Sequence, residues 1–154
     1  MMLLFCAALM MNAAASVNVS VREIVKPKRI TYAYRVENRT KHPIVAVRIG
    51  YDSTHEQPQL STLPAGWTFQ RGLARDTASA LAGWSVRLVT TEENPKFMLE
   101  WTSEHGPKSD IAVGKSAGGF RITLPHRAPE FRRPMFEILL RDGTRMHGTV
   151  ELDK

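Results

Sequence analysis

Apolar and polar residues alternate one by one through most of this chain, in short runs broken by glycine, proline, asparagine and aspartate. That period places successive side chains on opposite faces of a β-strand and does not fit the 3.6-residue repeat of a helix. In RITYAYRVEN, Ile30, Tyr32, Tyr34 and Val36 alternate with Thr31, Ala33, Arg35 and Glu37, and in IVAVRIGYD Val45, Val47, Ile49 and Tyr51 share a face. The intervening NRTKHP, with Asn38 and Pro43, predicts a hairpin turn. Phe120, Ile122 and Leu124 alternate with Arg121 and Thr123; Phe136, Ile138 and Leu140 precede Asp142-Gly143, and Met146, Val150 and Leu152 follow it. Asp-Gly between alternating runs marks a second hairpin, because both residues tolerate positive φ. Leu73, Thr77 and Leu81 in GLARDTASALAG have helical spacing, but the Ala- and Ser-rich segment is flanked by glycine, which weighs against a helix. The expected fold class is all-β, an antiparallel sandwich of about 7–9 strands with charged edges.

The same alternation places the three tryptophans. Trp67 is in phase with Phe69, Trp84 with Val86 and Leu88, and Trp101 with Phe97 and Leu99, while Gln70, Arg87 and Glu100 fall on the opposite phase. All three indoles are expected inside the sandwich. A flat aromatic platform for sugars would need them on the polar face.

The 154 residues suit one domain, and an apolar share of 43% is ordinary for a globular chain. MMLLFCAALMMNAAA carries no charge and a run too short to span a bilayer, and Ala13 and Ala15 precede Ser16 as small residues precede a cleavage site. Residues 1–15 are read as a secretory signal peptide without a basic start, and 16–154 as a single β-sandwich domain; the competing reading is a buried apolar N-terminal strand. The expected location is secreted or periplasmic. Cys6 is the only cysteine. A chain cleaved before Ser16 therefore has neither disulfide nor thiolate chemistry, and no later stretch is long and apolar enough for a membrane span.

The order of YAYRVEN, HPIVAVRIGYD, LSTLPAGW, a second GW and GKSAGGFRITLP resembles that of small exported bacterial immunoglobulin-like or fibronectin-like domains, over roughly Val21 to Leu152. The resemblance implies an immunoglobulin-like sandwich used for adhesion, assembly or display rather than chemistry. It carries over architecture alone, since the cysteine pair that brackets a tryptophan in immunoglobulin domains proper is missing.

Patterns that suggest catalysis do not survive inspection. In VGKSAGG a phosphate loop would need glycine where Ser109 stands and a helix where Gly118 and Gly119 lead into a strand, so a glycine-rich β-turn is expected. Asp52, His55 and Glu56 in DSTHE lack the companion ligands of a zinc site and read as a polar loop. There is no Gly-x-Ser-x-Gly elbow. We expect no enzyme, no cofactor and no metal. Asn18-Val19-Ser20 and Asn38-Arg39-Thr40 match the glycosylation pattern, the second in an expected exposed turn; in a bacterial host, the favoured reading, these are chance matches, and in a eukaryotic secretory host Asn38 is the expected acceptor.

The net charge is +6, which favours anionic partners. Its densest run is FRITLPHRAPEFRRP, where Arg121, Arg127, Arg132 and Arg133 are opposed only by Glu130 and Pro125, Pro129 and Pro134 are expected to hold an open loop. Arg127, Arg132 and Arg133 are the candidate anion-binding residues. No nucleic-acid motif accompanies them. Two functions stay open: an interaction or envelope-assembly module for an unknown protein, and a module binding carbohydrate or an anionic envelope polymer.

Overall fold

The computed structural model describes residues 14–63, 66–68, 77–91 and 94–154. The leader through Ala13 and residues 72–76 of the segment with helical spacing lie outside them; residues 77–83 of that segment are described and contain the strand Ala78–Ser79 and turns, not a helix. Two five-stranded sheets face each other. The first has the order β12-β1-β2-β9-β6, from Glu151–Leu152, Ser16–Lys26, Arg29–Arg39, Ser116–Leu124 and Ala78–Ser79. The second runs β11-β10-β3-β8-β7, from Arg145–Thr149, Met135–Leu140, Ile44–Ile49, Asn94–Ser103 and Trp84–Thr91. A small ribbon joins β4 (Tyr51–Asp52) to β5 (Gln57–Pro58). Among the described residues eight strands have five residues or more and four have two. All pairings are antiparallel except that of β1 with β12, which is parallel.

The inward phases of the long strands form one core. Ile30, Tyr32, Tyr34 and Val36 from β2 and Phe120, Ile122 and Leu124 from β9 pack against Val47, Ile49, Phe136, Ile138 and Leu140 of the other sheet. Trp67, Trp84 and Trp101 are 4%, 7% and 0% exposed, so the indoles are interior. Trp101 lies edge-on to Phe120 at 5.9 Å and donates Nε1–H to the Ser79 carbonyl at 2.9 Å. One ring thus ties β8 to the opposite sheet through both packing and a satisfied polar group.

Four expectations need correction. The 38–43 connection is not a hairpin: β2 pairs with β1 and β9, whereas β3 pairs with β8 and β10 in the other sheet. Asn38 turns the chain across. Its Nδ2 donates to the carbonyls of His42 and Ile111, and its Oδ1 accepts from Thr40. Asn38 is wholly buried, not in the exposed turn expected. Val45 is not on the core face, because the β3–β10 register slips between Leu139 and Leu140; the extra residue turns Ile44 inward instead. Leu152 is 38% exposed, since the chain changes sheets after Thr149 and only Val150 remains inside. The Asp142-Gly143 hairpin forms as the sequence implies: Gly143 has φ +88° and Asp142 accepts from the Thr144 N–H and hydroxyl.

Candidate anion-binding face

The segment after β9 is bolted down rather than held open. Ala128 donates its N–H to the Tyr32 hydroxyl at 2.9 Å, Tyr34 donates its hydroxyl to the Phe131 carbonyl at 2.8 Å, and the Tyr32 and Phe131 rings stack at 5.5 Å. Burial pushes the Tyr34 hydroxyl well above its ordinary pKa, so it stays a donor. Glu130 does not oppose the arginines. Its carboxylate accepts from the N–H groups of Ser61 and Thr62 at 2.9 and 2.6 Å; partial burial works against the charge, but these bonds hold the carboxyl below its usual value.

Arg127, Arg132 and Arg133 remain exposed on this anchored turn. The structure does not leave all three free, however. Glu23, on the inward phase of β1 at the mouth of the sandwich, faces Arg132 Nε at 2.7 Å. This contact is ionic rather than a directed hydrogen bond, because that carboxylate oxygen is buried with no aligned donor. Sequence composition gives Arg132 no acid but Glu130; strand pairing supplies one from a hundred residues earlier in the chain.

Charge is distributed very differently over the two outer sheet faces. On the second sheet, Arg87, Glu100, Arg48, Glu137 and His147 stand side by side across all five strands. Arg87 Nε donates to Glu100 at 2.7 Å, Arg48 donates to both Glu100 and Glu137, and His147 Nδ1 lies 3.6 Å from Glu137. The carboxylates are almost completely covered, 4% and 2% exposed. Burial opposes the charge of Glu100 and of Arg48, yet the contacts win: Glu100 is lowered and Arg48 raised from their ordinary values. This ladder neutralises itself.

The outer face of the first sheet carries more cations than acids. Pairing sets out its rows as Lys26–Arg29, then Ile24–Thr31–Thr123, then Arg22–Ala33–Arg121–Ser79, then Glu151–Ser20–Arg35. Small residues on β2 leave a trough between the longer side chains of β1 and β9. A groove of about 370 Å³ lined by Lys26, Arg29, Thr31, Thr123, Ser79 and Arg121 continues into one of about 150 Å³ lined by Arg22, Arg35, Arg121 and the Gly118–Gly119 bulge. The bulge needs glycine: Gly119 has φ +97°, and a Cβ there would stand 3.3 Å from the Leu81 backbone. Asp153 is the one carboxylate among the described lining residues, and Glu37, farther along β2, is paired with Arg39 at 3.0 Å.

The remaining motifs are structural. VGKSAGG is a turn with Gly114 at φ +75° leading into β9. Asp52 accepts from the N–H groups of Thr54 and His55 and contacts His55 Nδ1 at 2.7 Å, closing the β4–β5 turn. Among the described residues no group of three or more His, Cys, Asp or Glu is placed to hold a metal ion, and no helix is long and apolar enough to cross a membrane.

No protein-family model and no curated protein matches the chain in sequence. It is similar in structure to an uncharacterised protein from Nocardia farcinica with an immunoglobulin-like fold, at TM-score 0.55 and 13% identity over 84% of this chain and 82% of that one. A GH20 exo-β-N-acetylglucosaminidase from Vibrio harveyi aligns at TM-score 0.43 and 9% identity, covering 89% of this chain and 18% of the enzyme. At such identity the first likeness is one of fold, and the chain is an immunoglobulin-like β-sandwich.

Proposed function

We propose that this sandwich is an exported, non-catalytic binding module that presents the outer face of its first sheet to an anionic partner in the cell envelope. The observation that carries the reading is the contrast between the faces: a ladder of mutually paired charges on one sheet, and on the other Arg22, Lys26, Arg29, Arg35 and Arg121, none of them in an ion pair among the described residues, with Asp153 and Glu151 as neighbouring acids. Unpaired surface cations act by steering and by charge-assisted hydrogen bonds to carboxylate or phosphate. Cleavage before Ser16 leaves β1 whole, from its first pair with Arg39 onward, which is consistent with export of the folded unit. The test is retention of the chain on an immobilised polyanion over a salt series, with a polycation and a neutral polymer as controls. Retention by the polyanion alone, weakening steeply as salt shortens the screening length to about 10 Å at 0.1 M, is expected. Equal behaviour on all three supports would refute the reading.

A second reading, protein interaction or assembly by strand addition, is favoured by one feature. β12 covers β1 only at Ser20 and Val21, and Val25 farther along that edge is 61% exposed.

A further inference from the structure

We infer that the larger groove on the outer face of the first sheet is a seat for one phosphomonoester group. This names the class of anion that the face takes, and it rests on the anionic-partner reading.

The groove lies over the Thr31–Thr123 pair, and cations border it from both ends. Lys26 and Arg29 stand one row from the threonines, and Arg121 stands one row away on the other side, where rows on one face of a sheet recur about every 6.8 Å. All three cations line the same cavity of about 370 Å³, and no described residue lining it is acidic. The acids of this face, Asp153 in the smaller groove and Glu151 beside Ser20, belong to the end marked by Arg22 and Arg35. The floor supplies a further donor. The Thr31 and Thr123 hydroxyls lie 2.9 Å apart, and whichever of them donates to the other, one hydroxyl proton is left for a ligand.

Donors arriving from two ends and from below suit a tetrahedral anion. A phosphomonoester carries a charge of about −1.5 to −2 at neutral pH and three acceptor oxygens. It can accept from the Lys26–Arg29 end, from Arg121 and from the floor at once. A carboxylate is planar, and one guanidinium satisfies both of its oxygens; it would leave the opposite cation and the floor unused. The cavity exceeds what a phosphoryl group alone needs and falls within the range of about 300–1,000 Å³ usual for small-ligand sites. Ile24 and Ala78 in its lining offer apolar contact to the carbon skeleton beside the phosphate. No described lining residue is aromatic, so a nucleobase would find no ring on which to stack.

The experiment titrates the whole chain calorimetrically with glucose 6-phosphate and with glucuronate, which set a phosphomonoester and a carboxylate on the same kind of ring. Glucose 6-phosphate is expected to bind at least about tenfold tighter, the gain from about one more charge-assisted hydrogen bond. Replacing Arg29→Gln and Arg121→Gln together should weaken it by more than about tenfold, and Thr31→Val with Thr123→Val by about fivefold. Arg22→Gln with Arg35→Gln removes the same charge from the face but no group from this groove; it should leave the affinity within about twofold, because exposed charges act weakly through screening solvent. Tryptophan emission checks the folding of each variant, and the three pairs stand independently, so unfolding of one leaves the others decisive. Phosphatidylcholine vesicles with and without phosphatidate present the same group from a bilayer. Preference for phosphatidate that is lost on replacing Arg29 and Arg121 would support the seat and make a lipid the carrier; binding of glucose 6-phosphate alone would support it with a soluble carrier. Glucuronate binding as tightly as glucose 6-phosphate, or equal losses from the two arginine pairs, would overturn the inference while leaving a general anionic face intact. Retention on an immobilised polyanion with no binding of either phosphomonoester would do the same. If no polyanion retains the chain, the functional reading fails as well.

Discussion

Replacing Arg48 with methionine tests the ladder on the second sheet. Arg48 is the single cation shared by Glu100 and Glu137. Methionine keeps the length of the stem, so the loss is electrostatic. Removing one partner from a buried ion pair typically costs about 3–5 kcal/mol, because a charge is left in a poorly solvated place. Glu100 keeps Arg87, and Glu137 keeps the more distant His147; the lower end, about 3 kcal/mol, is therefore expected. In a chain of this size that lowers Tm by about 6–12 °C. Arg87→Met, at a side chain 69% exposed, should cost below about 1 kcal/mol.

The pH dependence carries the sharper prediction. In the parent chain Glu100 is held below its ordinary value of 4.5. Its contribution to stability is present above that value and is lost as pH falls through the lower folded value. In Arg48→Met a buried carboxylate without its guanidinium takes up a proton more readily, so the deficit relative to the parent should shrink between neutral pH and about pH 4. Urea melts followed by circular dichroism at several pH values measure both quantities. A deficit that equals that of Arg87→Met, or that widens towards acid, would refute the account of Arg48 as the shared counter-charge.

Trp101→Ala removes a fully buried indole and strands the Ser79 carbonyl, and is expected to cost about 3–5 kcal/mol in chemical denaturation; the parent should show blue-shifted emission that iodide quenches poorly. Glu130→Ala should unlatch the 125–134 segment from Ser61 and Thr62 at a cost of about 1 kcal/mol, read as faster amide exchange at those two residues. Because Glu130 is lowered in the fold, the parent's own latch should persist above pH 4.5 and loosen as pH falls through the folded value. Mass spectrometry of the native product is expected to find Ser16 at the amino terminus; an intact Met1 in a cytoplasmic pool would count against export.

Strand content and the core were legible because each rests on local phase. The inward residues of β2, β9 and β10 and all three tryptophans follow from alternation alone. Which sheet a strand joins was not legible, since alternation says which face is wet and nothing about the neighbour. Asn38 and Pro43 mark a reversal, and only the carbonyls that Asn38 captures decide that the reversal crosses the core. Charge density along the chain led to Arg127, Arg132 and Arg133, whereas Phe131 and Ala128 between them are core residues that pin the turn. The cation face was hidden for the opposite reason: its members are scattered in sequence and meet only through pairing. Their outward phase was nevertheless present in the sequence, with Arg22 and Lys26 on β1 and Arg29 and Arg35 on β2.

The parallel contact of β12 with β1 makes this a fold that closes late. Ser20 and Val21 wait for Glu151 and Leu152, so the first strand acquires its last neighbour only when nearly the whole sequence is available. Contacts of such long range slow folding, because chain closure must precede any gain from the pairing. A β1–β2 hairpin that formed before β12 arrived would have an open flank, and that flank is where two unfinished copies would join. The same two-residue clasp that completes the sheet therefore sets the interval during which the chain is vulnerable to pairing with another copy.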